Sequence, residues 1–299
     1  MGLLAPVPSQ QVAVAGRAGA RRRARLDPGD ALATVAVWVG GVITIVPLIW
    51  MLLSSFKSQS EILQPNPSFF PQHFTLESYA TVFSDPDFPL WTFFRNSVVV
   101  AVAVTVSVLF TSALAGYVFA KFQFFGKRFL FGLILASLMV PFQVVVIPLY
   151  LIIRDLNLFN TLYALIIPNL VSAFGIYLMR QFIEGLPNAL IEAGRIDGAS
   201  EFRIYWQIIL PQVIPALTAL GIFTFKWMWN DYLWPLVAIN DQAHQTLALG
   251  IAQFNVGQHG TRFDLTLAVA TLSALPIIAL FVIFQRQFVE GISLSGLKG

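Results

Sequence analysis

Residues 96–120 read NSVVVAVAVTVSVLFTSALAGYVFA, a run with no charged side chain and no proline. As a helix rising about 1.5 Å per residue, a run of this length exceeds the roughly 30 Å hydrocarbon core of a bilayer. In lipid every backbone N–H and C=O must find its partner within the protein, so such a run is a helix. Strands of a membrane barrel would be shorter and alternate in polarity. Working outward, residues 31–53, 129–153, 159–179 and 265–285 are equally free of charge. A sixth run extends from Pro211 to about Trp229, interrupted near its end by Lys226. The expectation is an all-α integral membrane protein with six transmembrane helices. It would comprise an N-terminal segment 1–30, a membrane domain 31–286 with a cytoplasmic loop 182–211, and a C-terminal tail 287–299.

Composition supports this class and removes others. With 57% hydrophobic and only 11% charged residues, the chain carries more apolar surface than a water-soluble fold of 299 residues can hide. The absence of cysteine excludes disulfide frameworks, thiolate metal sites and cysteine nucleophiles. His73, His244 and His259 are too dispersed to suggest a metal cluster, so no metal site is expected. The net charge of +3 is small and its basic residues form no stripe for nucleic acid. The first apolar run is longer than a secretion-signal core and lacks a following small-residue cleavage site, so it is expected to stay as an anchor.

The basic residues instead report orientation. One set of connections holds Arg17, Arg21, Arg22, Arg23 and Arg25, then Lys121, Lys127 and Arg128, then Arg180, Arg195 and Arg203, then Arg286 and Lys298. The alternate set holds only Lys57, Arg95, Arg154 and Arg262. Both termini are therefore expected in the cytoplasm. The outer side carries two long loops, 54–95 and 231–264, which read either as a docking surface for an external partner or as solvated linkers. Prolines 47, 141, 148, 168, 215 and 276 lie in the spans. They would either kink helices that line a changing cavity or be simply tolerated there.

One cytoplasmic stretch, EAGRIDGASEFRIYWQIILP at 192–211, is dense in charge. Pro187 suits a first helical position and Gly198 a left-handed helix end, which predicts a helix of about three turns between them. Ser200 is a natural N-cap, with Glu201 in the first turn of a second helix running to Pro211. Leu190, Ala193, Gly194 and Asp197 would share a face of the first helix. Glu192 and Arg195 could pair at i, i+3, for only about 0.2–0.5 kcal/mol. A solvated amphipathic segment at the headgroups is the plain alternative.

The residues in this stretch resemble the motif of the integral-membrane subunits of binding-protein-dependent ABC importers: E-A-A, three residues, G, nine residues, I-x-L-P. Glu192, Ala193, Gly194, Gly198, Ile208, Leu210 and Pro211 fall at its spacings, and Asp197 and Ala199 belong to the similar RIDGAS. Gly194 stands where the family usually has alanine, and a glycine there weakens a helix by roughly 1 kcal/mol, which would loosen docking. MVPFQVVVIPLYLIIRDLNLFNTLYALIIP at 139–168 and WMWNDYLWPL at 227–236 look like the carbohydrate-uptake branch, particularly maltose-type second permeases. The resemblance implies the type I permease fold of ABC importers in a bacterial inner membrane. It also implies a companion permease, two copies of a cytosolic ATPase and an external solute-binding protein. The helix 187–198 would then be the coupling helix seated in an ATPase groove. ATP and Mg would sit on the ATPase, with no cofactor on this chain. Consistently, no G-x-x-x-x-G-K-[ST] loop is present, Gly126–Lys127 failing at the other positions, so no catalytic residue is expected.

For solute, the end of the fifth run offers Trp227, Trp229, Asn230 and Tyr232. Aromatic faces with fixed hydrogen-bonding groups suit a sugar pathway, whereas an interfacial aromatic belt is the competing account. Lys226 would snorkel outward or face water within the bundle. The expected function is import of a sugar or oligosaccharide, with a polyol or glycerol phosphate as the alternative solute. An ion-coupled secondary transporter would place ionisable groups at mid-membrane, and the spans hold no carboxylate.

Overall fold

The computed structural model describes residues 28–256 and 262–296, with side chains described from Leu32 to Phe254 and from Arg262 to Gln285. The N-terminal arginines, His259 and Lys298 therefore lie outside the described residues. Among the described residues every regular element is helical: α1 (Pro28–Ser54), α2 (Gln59–Ile62), α3 (Glu77–Ser84), α4 (Leu90–Lys121), α5 (Lys127–Ser137), α6 (Phe142–Asp155), α7 (Leu162–Ile166) and α8 (Ala173–Glu184). These are followed by α9 (Ala189–Ile196), α10 (Glu201–Ile204), α11 (Leu210–Gln212), α12 (Ile214–Trp229), α13 (Leu233–Ala238), α14 (Leu247–Val256) and α15 (Phe263–Gly296). Contacts divide the chain between Leu48 and Ile49. Of the described residues, the first unit holds α1 up to Leu48, and the second holds the last turns of α1 and the helices that follow.

Within the second unit α4 is the central column. It packs against α8 and α12, and α12 in turn packs against α15. The closest approach is made by small residues. A Cβ on Gly116 of α4 would lie 2.7 Å from Met179 Cβ and 2.9 Å from the Arg180 backbone nitrogen of α8. Val100, Ala101, Val104 and Val108 of α4 are buried at this core, with Leu220 of α12 and Leu265 of α15.

Four stretches are long and apolar enough to cross a bilayer without a sharp break: Leu32–Ser54, Leu90–Lys121, Leu162–Glu184 and Phe263–Gln285. Of the remaining two predicted spans, 129–153 is a bent pair, and the run from Pro211 holds α12, which follows a bend from the second helix of the charged stretch. α5 and α6 meet at 99°, and the stretch Glu201–Gln212 meets α12 at 76°. Six spans result when each bent pair counts as one. The expected single helix over 129–153 is therefore corrected to two helices. Pro141 lacks an N–H and drives the residue before it out of the helical region, so the run breaks over 138–141 despite its unbroken hydrophobicity. The prolines do not act alike. Pro47, Pro148 and Pro276 stay inside α1, α6 and α15, while Pro215 sits in the first turn of α12, where its missing donor is harmless.

The two long loops 54–95 and 231–264 are not irregular linkers. Lys57 is fully buried, and its Nζ donates to the Ser68 carbonyl. Asn96 Nδ2 donates to the carbonyls of Ala243 (2.8 Å) and Gln245 (2.9 Å), and Ser97 Oγ accepts from the Leu247 amide at 2.8 Å. The polar start of the run at 96 thus serves as the fastener for the loop before α14.

Candidate functional site

The charged stretch folds as a helix, a glycine turn and a second helix. α9 is shorter than the predicted three turns: it spans Ala189–Ile196, with Pro187 outside it. Its end is a Schellman motif. Gly198 has φ +74°, the Ala199 amide donates to the Gly194 carbonyl (2.9 Å), and the Gly198 amide donates to Arg195 O (3.1 Å). Ser200 then caps α10, its Oγ accepting from the Arg203 amide at 3.3 Å.

The second helix continues through Pro211 to Gln212, with a widened π-helical turn at Tyr205–Ile209. Proline clashes with the carbonyl four residues before it, here Gln207, and the widened turn holds that residue.

The expected face of α9 is split by the structure. Ile191 and Gly194 are buried, whereas Leu190, Glu192, Ala193 and Asp197 are exposed. Gly194 faces its own chain: a Cβ there would lie 2.9 Å from Ile208 Cδ1 and 3.1 Å from Ile204 Cγ1. Gly194 therefore offers no bare backbone to an external surface, because the residue packs inward against the second helix. The outward surface instead gains Ile196, which is 86% exposed. Ile208 and Leu210 are half-buried, Pro211 is exposed, and Ala199 is half-buried in the turn. Ile196 was missed because it falls off the motif positions and only the handedness of a two-turn helix brings it outward.

Arg195 also differs from expectation. It reaches across the glycine turn, Nε to Glu201 Oε1 at 2.7 Å, instead of pairing back to Glu192. The other carboxylate oxygen of Glu201 accepts from Tyr117 Oη at 3.1 Å. At the opposite end of α9, Lys121 Nζ donates to Leu186 O (2.6 Å) and Asn188 Oδ1 (2.9 Å). Asn188 stands at the N-cap without capping, its oxygen being engaged by Lys121. No local signal marks Tyr117 and Lys121, which lie 84 and 67 positions from these partners.

The aromatic cluster separates into core and surface. Trp229 is 1% exposed, its indole N–H donates to Ser273 O (3.1 Å), and its ring packs on Phe94 and Phe225. As a pathway lining residue it is corrected to a core residue, since no face of its ring is open. Trp234 is likewise buried, with its indole bound to Ala164 O at 2.9 Å. Trp227, Asn230 and Tyr232 are exposed, as is Lys226. Asn230 Nδ2 donates to the Lys226 carbonyl at 2.8 Å.

Asn160 ties the connection between α6 and α7 to the segment after α13. At φ +61° it receives the amides of Asn240 and Asp241 on Oδ1 and donates to Asp241 Oδ2 at 2.7 Å. Asp241 Oδ1 also meets the His244 amide (3.0 Å) and His244 Nδ1 (2.8 Å). Partial burial pushes the Asp241 carboxyl up, but these hydrogen bonds outweigh it and hold the group below the usual carboxylate range. No group of His, Asp or Glu suited to a metal ion occurs among the described residues.

Comparison with known proteins agrees with this architecture. The family described as binding-protein-dependent transport system inner membrane component matches residues 109–294. The arabinooligosaccharides transport system permease protein AraQ of Halalkalibacterium halodurans is 35% identical over 259 residues, covering 86% of this chain and 92% of that protein. The diacetylchitobiose uptake system permease protein NgcG of Streptomyces coelicolor is 33% identical over 264 residues, covering 87% and 86%. A crystal structure of a bacterial ABC transporter involved in the import of the acidic polysaccharide alginate shares the fold. It has a TM-score of 0.75 at 23% identity, over 86% of this chain and 95% of that one. With its spans and its glycine-turn module in the family's spacing, the chain belongs to the binding-protein-dependent transport system inner membrane components, the membrane-spanning permease subunits of ABC importers.

Proposed function

We propose that this chain forms part of the membrane path of an importer that takes a sugar or oligosaccharide from an external solute-binding protein, with α9 docked on a cytosolic ATPase. The observation that carries the coupling role is the outward surface of α9. Leu190, Ala193, Ile196 and Asp197 are exposed on a helix whose opposite side is packed against its own chain. A bare isoleucine on a charged cytoplasmic module is a natural knob for a groove on a partner. Sugar as the solute class is supported by the relatives named for arabinooligosaccharides and diacetylchitobiose.

In this reading both termini lie in the cytoplasm, a companion permease completes the path, and two ATPase copies bind ATP and Mg and perform the hydrolysis. The ATP-bound ATPase has to bind one orientation of the membrane domain better than the other, since a partner with equal affinity for both shifts nothing. Trp227, Asn230 and Tyr232, exposed at the outer end of α12, would contribute aromatic and hydrogen-bonding groups to the route.

Purification of the tagged chain from detergent tests the assignment. A companion permease and an ATPase should be retained, and sugar with the external binding protein should raise ATP hydrolysis. Ile196→Asp should release the ATPase while leaving membrane insertion intact. A chain that purifies alone, or a complex indifferent to every sugar, contradicts the proposal.

A further inference from the structure

We infer that Tyr117 and Lys121 of α4 transmit the movement of α9 into the membrane domain, holding the helix at both ends so that α4, α8 and α9 move as one body. This assignment rests on the coupling role proposed for α9. By sequence the helix is joined only to α8 and α10. α4 is remote in the chain, yet its last turn holds both ends of α9. Tyr117 and Lys121 are four positions apart, hence neighbours on one helical face.

Tyr117 binds the carboxylate of Glu201, which in turn holds Arg195 in the last turn of α9. Lys121 binds the backbone and side-chain oxygens of Leu186 and Asn188 just before its first turn. A helix held at one end pivots when pushed, but one held at both ends must carry its support with it.

The anchoring is firm on the membrane side. Tyr117 is 3% exposed, with its ring against Phe122 (5.4 Å) and Tyr205 (5.5 Å). One residue earlier, Gly116 brings the backbone of α4 against α8, leaving no room for a methyl group. Close-packed contacts of this kind transmit displacement instead of absorbing it. The Arg195–Glu201 pair closes the glycine turn, so a push on the exposed side of α9 is passed to α4 before the turn can flex. The residues are positioning groups: they touch neither solute nor nucleotide in the proposed reaction.

The test uses the assembled transporter in proteoliposomes, with solute uptake and ATP hydrolysis measured together. Tyr117→Phe keeps the ring and removes the hydroxyl; Lys121→Met keeps the stem and removes the charge. The double variant is expected to lower solute moved per ATP by about five-fold, the small end of typical coupling between sites. Lys121→Arg should restore the ratio in the single variant. An unchanged ratio in an assembled double variant overturns this inference alone, whereas a wild-type chain that retains no ATPase overturns the coupling role as well.

A second measurement does not depend on the variants folding. The chain has no cysteine, so spin labels at Glu192 and Val118 report α9 against α4 directly. An equal distance with and without ATP is expected, and a change of several ångströms (of the order of a helical turn) rules out the single moving body.

Discussion

Gly194 and Ile208 interlock: the bare backbone of α9 leaves room for the Ile208 side chain, whose Cδ1 would lie 2.9 Å from any Cβ added at 194. The family's usual alanine therefore fits here only if the terminal methyl of Ile208 moves and Ile204 Cγ1, 3.1 Å from the added Cβ, gives by a few tenths of an ångström. Gly194→Ala should change stability by less than about 1 kcal/mol, because the gain in helix propensity offsets the crowding. Gly194→Leu drives a branched side chain into Ile204 and Ile208 and should destabilise by about 1–3 kcal/mol. Thermal unfolding of the detergent-solubilised protein distinguishes the two.

Gly198 is a separate case, since nothing lies within 4 Å of its added Cβ. Its constraint is backbone conformation, φ +74°. Gly198→Ala should cost about 1–2 kcal/mol by forcing a side chain into the left-handed region, with Gly198→Asn milder. Gly198→Pro cannot adopt the required φ and would remove the Gly198 amide bond to Arg195 O. Uptake should fall in the order Asn, Ala, Pro, while the amount of chain in the membrane stays constant.

Trp229 and Trp227 should respond oppositely to truncation. Trp229→Ala opens a cavity under Phe94 and Phe225, with an expected loss of about 3–5 kcal/mol. Trp227 is 72% exposed, and Trp227→Ala should leave stability within about 0.5 kcal/mol. A raised KM for uptake in Trp227→Ala or Tyr232→Ala, at unchanged stability, would support their place on the solute route. Unchanged kinetics in both would assign them to the interfacial belt.

The Asn160–Asp241–His244 tie should weaken in acid. A carboxyl with a folded pKa below its unfolded value near 3.9 contributes stability that is complete above that value. The contribution is lost as pH falls through the depressed folded pKa. The stability difference between wild type and Asp241→Asn should therefore be present above about pH 4 and shrink below it, as the carboxyl takes up its proton. Chemical denaturation on either side of that value measures it, and a difference that persists undiminished in strong acid would contradict the assigned tie.

The membrane class and the helix–glycine turn–helix form of the charged stretch were legible because both depend on local chemistry. A charge-free run must be helical in lipid, and a glycine between a helix end and a serine cap specifies its own turn, as the Schellman bonds at Gly194 and Arg195 bear out. The break over 138–141 was less legible. Pro141 and Pro148 look equivalent in the sequence, yet one ends a helix and the other is carried inside α6. Local propensity alone does not separate them, because neighbouring helices can supply what a proline removes. The aromatic cluster failed for a related reason: Trp227 and Trp229 are two positions apart, so a helix directs them about 200° apart, one outward and one into the core.

The sequence by itself determined a helical membrane permease with a charged, glycine-turned loop in the spacing of its family, because hydrophobic length, caps and left-handed glycine are properties of adjacent residues. Only the tertiary structure decided that Gly194 faces inward, that Arg195 chooses Glu201 over Glu192, and that Tyr117 and Lys121 hold the two ends of α9. The first two depend on how α9 folds back on the helix that follows it, and the contacts of Tyr117 and Lys121 join residues far apart in the chain, which meet only when α4 packs in the bundle beside that loop.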